Sequence, residues 1–255
     1  MNSNGTGLMQ LTHDTGGNVT PSWSPDGKMI AFASTEQRDG NAEVYVMNAD
    51  GSDQRRLTNN RADDSHPHWS PDSRRIIFSS SRTTPTPNGP EWDDIFSMDV
   101  NGSDLRQHTH CEAICTFPSY SPDIRRIAYR RVINSPGFKW NLALAERNSE
   151  IFVANIDGTQ AKDISNSAGF DGWPTWSPDG QWIAFASNRL GPANVGQIFV
   201  VHPDGAGLKQ ISSNGSFAQP AWSSDGRRIY AYENVETTDY EYGDVVALEF
   251  SESGD

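Results

Sequence analysis

The sequence predicts an all-β protein, a five-bladed β-propeller built of four-stranded antiparallel blades, and three observations carry that prediction. The first is composition: Ile and Val together number 27 against 9 Leu, and aromatic residues, eight Trp among them, make up 10% of the chain. β-Branched and aromatic side chains suit a pleated, half-buried surface better than a helix. The second is a repeat. Trp23-Ser-Pro-Asp-Gly27 returns at Trp69, Tyr120, Trp176 and Trp222, at intervals of 46, 51, 56 and 46 residues, each time with a proline two positions earlier (Pro21, Pro67, Pro118, Pro174, Pro220). The third is a shared succession of alternating apolar runs inside every unit, and a period of two marks strands.

Taken in order, each unit begins with the strand that ends on the aromatic. The Ser-Pro-Asp turn follows: its proline presets φ, its Asp can bond nearby backbone, and Gly suits the last position. A second strand comes next (Met29–Ala33, Ile76–Phe78, Ile127–Tyr129, Trp182–Ala186, Ile229–Tyr232), then a third (Glu43–Met47, Asp94–Met98, Glu150–Ala154, Gln197–Val201, Asp244–Leu248). An Asp-Gly or Asn-Gly turn leads to a short closing run such as Arg56-Leu-Thr58 or Gln210-Ile-Ser212. Four strands joined by tight turns make a propeller blade. The single domain, 1–255, thus divides into blades at about 13–58, 59–109, 110–165, 166–212 and 213–250. Residues 7–12 are left over. Met1–Thr6 aligns with Met47–Ser52, which makes Leu8–Thr12 an outermost strand with no blade before it, whereas the last unit stops after its third strand. Pairing the surplus strand with the deficient blade closes the ring and removes an unpaired edge. The alternative is part of a six-bladed ring.

The Trp-Ser-Pro-Asp-Gly turn, the Ile-Ala-Phe strand, the Val44-Tyr-Val-Met-Asn48 strand and the Asp50-Gly-Ser52 turn together resemble the TolB-type, WD-repeat-like β-propeller repeat, over essentially the whole chain. The resemblance implies six blades, an exported, periplasmic protein with a further domain, and a partner-binding role in the cell envelope.

Charge and hydropathy restrict the partners. A net charge of -13 with no run of four basic residues disfavours nucleic acid and anionic lipid, both of which need clustered Lys or Arg. No stretch approaches 18 apolar residues, and residues 1–20 carry no basic-then-apolar leader, so membrane insertion is not expected. The protein then works where it is made, or in the periplasm or outside the cell if a leader was removed. A monomer without cofactor is expected. The sequence contains no Gly-x-Ser-x-Gly, phosphate-binding glycine loop or His-Glu-x-x-His, which supports a non-catalytic protein that binds a protein or peptide partner.

If the repeated positions hold the fold, binding belongs where the units disagree. Three residues before the repeated aromatic stand Thr20, His66, Phe117, Trp173 and Gln219; five before it stand Asn18, Asp64, Cys115, Asp171 and Phe217. Of these, Asp64, His66, Phe117, Asp171, Trp173 and Gln219 are the candidate binding residues at the channel mouth, a mixture suited to a polar ligand or peptide end. The long segments 83–93, 132–149, 190–196 and 234–243 extend that face, since varied loops on a rigid scaffold carry function. The alternative is carbohydrate or small-ligand binding at the mouth, with Asp64, Asp171 and Glu112 as the acids if glycosides are hydrolysed. His66, His68, His108, His110, Cys111 and Cys115 have metal-ligating chemistry. The two His pairs belong to opposite edges of one blade, on the order of 14 Å apart, so no metal site is assigned. Calcium at the Asp-Gly turns is disfavoured because the acids do not recur in register. Cys111 and Cys115 form a local disulfide if exported, or two thiols if not. Glu43, Asp94, Glu150, Asp244 and Arg82, Arg131, Arg189 are expected to form ion pairs within blades.

Overall fold

The computed structural model describes residues 6–14, 16–35, 40–83, 92–132, 148–192, 195–234 and 243–251. Among the described residues nineteen strands form five antiparallel sheets, arranged as the blades of a β-propeller. The first blade contains β1 (Asn18–Trp23), β2 (Met29–Ser34), β3 (Glu43–Asn48) and β4 (Arg55–Arg56). The second contains β5 (Asp64–Trp69), β6 (Arg75–Ser80), β7 (Asp94–Asp99) and β8 (Arg106–Gln107). The third contains β9 (Cys115–Tyr120), β10 (Arg126–Val132), β11 (Ser149–Asn155) and β12 (Lys162–Asp163). The fourth contains β13 (Asp171–Trp176), β14 (Ile183–Ser187), β15 (Gln197–Val201) and β16 (Lys209–Gln210), and the fifth β17 (Ser216–Trp222), β18 (Arg228–Asn234) and β19 (Gly243–Glu249). The innermost strands neighbour one another in sequence, β1 on β5, β5 on β9, β9 on β13 and β13 on β17, and so surround a central channel.

The Ser-Pro-Asp turn, which is Ser223-Ser-Asp225 in the fifth blade, is built the same way in all five blades. The Ser24 hydroxyl donates to Asp26 Oδ1 at 2.7 Å and accepts the Met29 amide at 2.9 Å, and the same pair of bonds recurs at Ser70, Ser121, Ser177 and Ser223. The serine hydroxyl holds the carboxyls of Asp26, Asp72, Asp123 and Asp225 below the usual carboxylate range. These residues serve turn geometry. The last turn residue adopts a left-handed φ, which is 71° at Gly27 but is taken by Ser73 and even by β-branched Ile124.

Between blades the core is apolar. Ala31, Val44 and Val46 of the first blade pack on Trp69, Ile76 and Phe78 of the second, and equivalent clusters fill the next three junctions. The repeated aromatic seals each junction: Trp69 is 2% exposed and its indole donates to the Ser22 carbonyl at 2.9 Å, and Trp222 donates to Thr175 in the same manner.

The ring differs from expectation where its ends meet. Among the described residues the fifth sheet has three strands, and residues 8–12 form no ladder with β19. Leu11 instead joins Ile30, Phe32, Tyr45 and Met47 of the first blade and lies beside Gly51, as Leu57 lies beside Gly102 one blade later. Both glycines have a left-handed φ, which disfavours a side chain, and a Cβ at either would lie 3.1 or 3.2 Å from the carbonyl oxygen of Leu11 or Leu57, closer than an ordinary contact. Leu11 thus holds, against the first blade, the place that Leu57 of the first blade holds against the second. Trp23, at the position where Trp69 is sealed, is 57% exposed, and Val245 on β19 is 78% exposed.

The exposure contrast gives a prediction. Trp69→Ala should destabilise by about 3 to 5 kcal/mol, the range for emptying a buried aromatic site, whereas Trp23→Ala should cost about 0.5 kcal/mol or less. Urea unfolding of the two variants checks this; equal losses would mean that the seam is closed in solution.

Candidate functional site

The mouth residues share a backbone constraint that their sequence variety hides. Thr20, His66, Phe117, Trp173 and Gln219 all have a left-handed φ, between 51° and 54°. Each stands directly before the repeated proline, at a register shift between the first and second strands: Val19 to Ser22, Ser65 to His68, Gly172 to Thr175 and Ala218 to Ala221 in four blades, with the matching shift between Ala128 and Arg130 on β10. This is a β-bulge, which locally turns a side chain out of its ordinary alternation. Bulky and β-branched residues rarely take this conformation, and each instance costs on the order of 1 to 3 kcal/mol. The fold leaves the identity of these residues free but dictates their backbone. The register also places them at the end of the sheet where the second strand leads to the third, since Asp64 pairs with Ser80 and Asp171 with Ser187. The long segments expected on that face lie mostly outside the described residues.

Three of the five come together. The His66 and Phe117 rings have centroids 3.8 Å apart, Phe117 meets Trp173 edge-on at 5.8 Å, and Trp173 leans on Phe170 at 5.0 Å. Beneath this ladder lies a residue the repeat pattern did not single out, Arg130, which is 1% exposed. Its guanidinium carbon is 5.1 Å from the Phe117 ring centre and 5.9 Å from that of Phe170, and its Nε donates to Thr116 Oγ1 at 3.1 Å. The aligned second-strand positions are Ala33, Ser79, Arg130, Ala186 and Tyr232, so the one charged residue among them was the available signal. Thr20 and Gln219, on the blades that flank the seam, stay outside the ladder.

His66 Nδ1 lies 2.9 Å from both Ser65 Oγ and Ser79 Oγ. Burial, aided by the positive charge of Arg130, lowers its pKa to about 3. A ring with so little proton affinity is poorly matched to general-base work near neutral pH. It contributes a neutral aromatic face and a hydrogen bond.

The row of residues two positions earlier is structural. Asp64 is fully buried, and Arg82 Nη2 donates to both of its oxygens, at 2.9 and 2.8 Å. Burial raises its pKa against the opposing charge of Arg82. Asp171 is likewise fully buried and paired with Arg189 at 2.9 Å. The structure therefore does not bring Asp64 and Asp171 into the ladder. Arg82 and Arg189 do serve ion pairs within blades, but with these two aspartates rather than with the acids before the third strands. Of those acids, Glu43 pairs with Arg56 at 2.7 Å, and Asp94 accepts Thr109 Oγ1 and the Cys111 amide at 2.8 and 2.7 Å. Cys111 and Cys115 are joined in a disulfide at the start of β9, next to the mouth, and Phe217 sits in the core between the last two blades. His108 is held by Ile156 O and Ser97 Oγ.

A cleft of about 270 Å³ opens at the other end of the molecule, between the Ser-Pro-Asp turns of blades four and five, against Trp182, Trp222 and Phe250. Its polar groups are the repeated turn residues already described, so the ladder remains the better candidate.

The lowered pKa of His66 has a consequence for stability. The unfolded ring takes up its proton near pH 6.5 and the folded ring near 3, so stability falls as pH drops through that window. His66→Gln should make the decline shallower while leaving stability at pH 8 nearly unchanged; denaturation curves at pH 4 to 8 measure it, and an unaltered slope would show that the ring is not desolvated.

Comparison with known proteins adds the following. The family described as the TolB beta propeller domain matches residues 1–131 and 134–245. A protein TolB homolog of Chlorobium luteolum is 28% identical over an alignment covering 42% of this chain and 31% of that protein. The Tol-Pal system protein TolB of Syntrophus aciditrophicus is 44% identical, covering 24% of this chain and 13% of that protein. The chain thus spans less than a third of the length of these curated relatives. The crystal structure of TolB from Acinetobacter baumannii superposes with a TM-score of 0.73 at 18% identity, covering 97% of this chain and 55% of that one, a likeness of fold.

Proposed function

The chain belongs to the TolB β-propeller domain family, and on that premise we propose that it is a non-catalytic propeller that binds a protein or peptide partner at the channel mouth and the long-loop face around it. One observation carries the reading. Left-handed bulges on three successive blades present His66, Phe117 and Trp173 as one aromatic wall over the buried Arg130. Aromatic anchors and arginine dominate the energetics of protein interfaces, and anchors fixed by a rigid scaffold lose little entropy on binding. The same wall also suits the flat face of a sugar ring, which is the second reading. The Cys111–Cys115 disulfide supports a periplasmic or extracellular setting, because such bonds persist in oxidising compartments.

Trp173→Ala and Phe117→Ala should each weaken partner capture from a cell-envelope extract at least tenfold, the scale of truncating one interface anchor, with a small loss of melting temperature. Unchanged capture would remove the mouth from consideration, and binding on a glycan array in place of protein capture would favour the sugar reading. Alkylation of protein from its native compartment, followed by mass measurement, should label neither cysteine until a reductant is added; two labelled thiols would overturn the oxidising location.

A further inference from the structure

The aromatic wall stands on three innermost strands, and two of them are anchored where they start by a buried ion pair. Asp64 opens β5, which carries His66, and is bound by Arg82; Asp171 opens β13, which carries Trp173, and is bound by Arg189. The strand between them, β9, carries Phe117 and opens with Cys115 at the equivalent position, five residues before the repeated aromatic. Its anchor is the bond from Cys115 to Cys111. Phe117 is also the member that touches both of the others, His66 on one side and Trp173 on the other. The middle of the wall is therefore held by a bond that a reductant can open, between neighbours held by charge.

The bond lies at a junction of main-chain contacts. The Cys111 amide donates to Asp94 Oδ1 at 2.7 Å, and its carbonyl accepts Arg131 Nη2 at 3.0 Å. Within the loop the bond closes, the Ala113 carbonyl accepts the Asp93 amide at 3.0 Å and the Ile114 carbonyl accepts the Val132 amide at 2.9 Å. The Cys115 amide donates to the Asp93 carbonyl at 2.9 Å. These contacts tie the loop to the start of β7 and the end of β10. Thr116 follows, accepting Arg130 Nε at 3.1 Å, and then Phe117. Both cysteines pack with Ile77, Ile95 and Tyr129 in the core between blades two and three. Unbonded thiols need more room than a bonded pair, and a close-packed interior answers such a demand by moving. One residue separates Cys115 from Phe117, so that movement reaches the wall.

We propose that the Cys111–Cys115 disulfide is a redox-controlled positioning device for the mouth: oxidised, it fixes Phe117 between His66 and Trp173, and reduced by a dithiol it releases the start of β9 and weakens partner binding. This rests on the mouth being the binding site. Cys111, at 8% exposure against 0% for Cys115, offers the sulfur that is attacked. A thiolate of the reductant bonds to Cys111 Sγ and expels Cys115 as thiolate, which takes up a proton. The second reductant thiol then displaces Cys111, leaving two protein thiols and one reductant disulfide, a transfer of two electrons and two protons. With a sequence separation of 4 the bond closes a short loop, and it removes less freedom from the unfolded chain than a bond closing a long one. Its loss is felt locally.

The test compares the full chain before and after treatment with dithiothreitol, which has no other disulfide to open in a chain with 2 cysteines. Urea unfolding should remain one cooperative transition. Hydrogen exchange of the Cys115 and Val132 amides should quicken about tenfold or more, while that of the Asp64 and Asn188 amides at the neighbouring anchors stays within about twofold. Capture from the envelope extract should fall about tenfold, the scale of one misplaced anchor, and return on reoxidation. Protein carrying Cys111→Ala and Cys115→Ala should capture at the reduced level and ignore the reductant, which separates this bond from any in the partner; if that variant fails to fold, reduction and reoxidation of the natural chain carry the test. Exchange unchanged once both thiols are free, or loss of cooperative unfolding, would overturn the proposal. Quickened exchange with undiminished capture would overturn the control of binding alone, and failure of the oxidised protein to capture would overturn the mouth reading and this control with it.

Discussion

One constraint recurs in every blade and links the fold to its candidate site: a non-glycine residue held in the left-handed conformation directly before a proline on the innermost strand. The residue before a proline already has a restricted backbone, and a left-handed turn adds on the order of 1 to 2 kcal/mol for an L-residue. Such positions persist only where their surroundings over-determine them. In blades two to four the surroundings include the buried aromatic two residues after the proline and the apolar junction it seals, whereas in the first blade, where Trp23 is 57% exposed, Thr20 keeps the same φ and the register shift against the second strand is what holds it. The bulge in turn releases one side chain per blade from the sheet's alternation. In blades two to four the released side chains meet across the channel.

Most of the architecture was legible because it rests on local chemistry repeated in register. The Ser-Pro-Asp turns, the strand runs and the sealing aromatics each follow from a few neighbouring residues, and the structure places them as the pattern implies. The mouth positions were legible as the places where units disagree, although the common left-handed backbone beneath that disagreement was not, since no residue type marks it. The partners of Asp64 and Asp171 were not legible. Their variation was read as freedom, but each is tied to an arginine 18 residues away, Arg82 or Arg189, by a pairing that depends on how the second strand returns along the first. Arg130 was legible in principle from the aligned second strands. Its role was hidden because a strand position carries no mark of the rings that neighbouring blades bring over it.

The seam follows from the same packing rule applied where a neighbour is lacking. A propeller junction forms when the sealing aromatic and second-strand apolars of one blade meet the small residues of the previous blade. The first blade has the aromatic, Trp23, and the fifth carries Tyr230 where the other blades have Ala31, Ile77, Ala128 and Ala184. Tyr230 is 40% exposed while those four are fully buried. A bulky side chain at the position that normally admits the next blade works against ordinary closure between blades five and one. Leu8, Met9, Val19, Trp23, Tyr230 and Val245 are consequently exposed together on the elements that border the seam, and apolar surface gathered in one region marks an interaction site more often than scattered residues do.

The molecule thus presents two surfaces of different physical character. At the mouth, rigid side chains are fixed by bulges and recognition depends on their faces; Thr20 and Gln219, whose blades border the seam, do not join that wall. The border of blades five and one differs in character, because the groups exposed there are the apolar side chains of Leu8, Met9, Val19, Trp23, Tyr230 and Val245. The mouth is built by blades two to four, each flanked by neighbours on both sides, and its geometry therefore does not depend on whether the seam is filled.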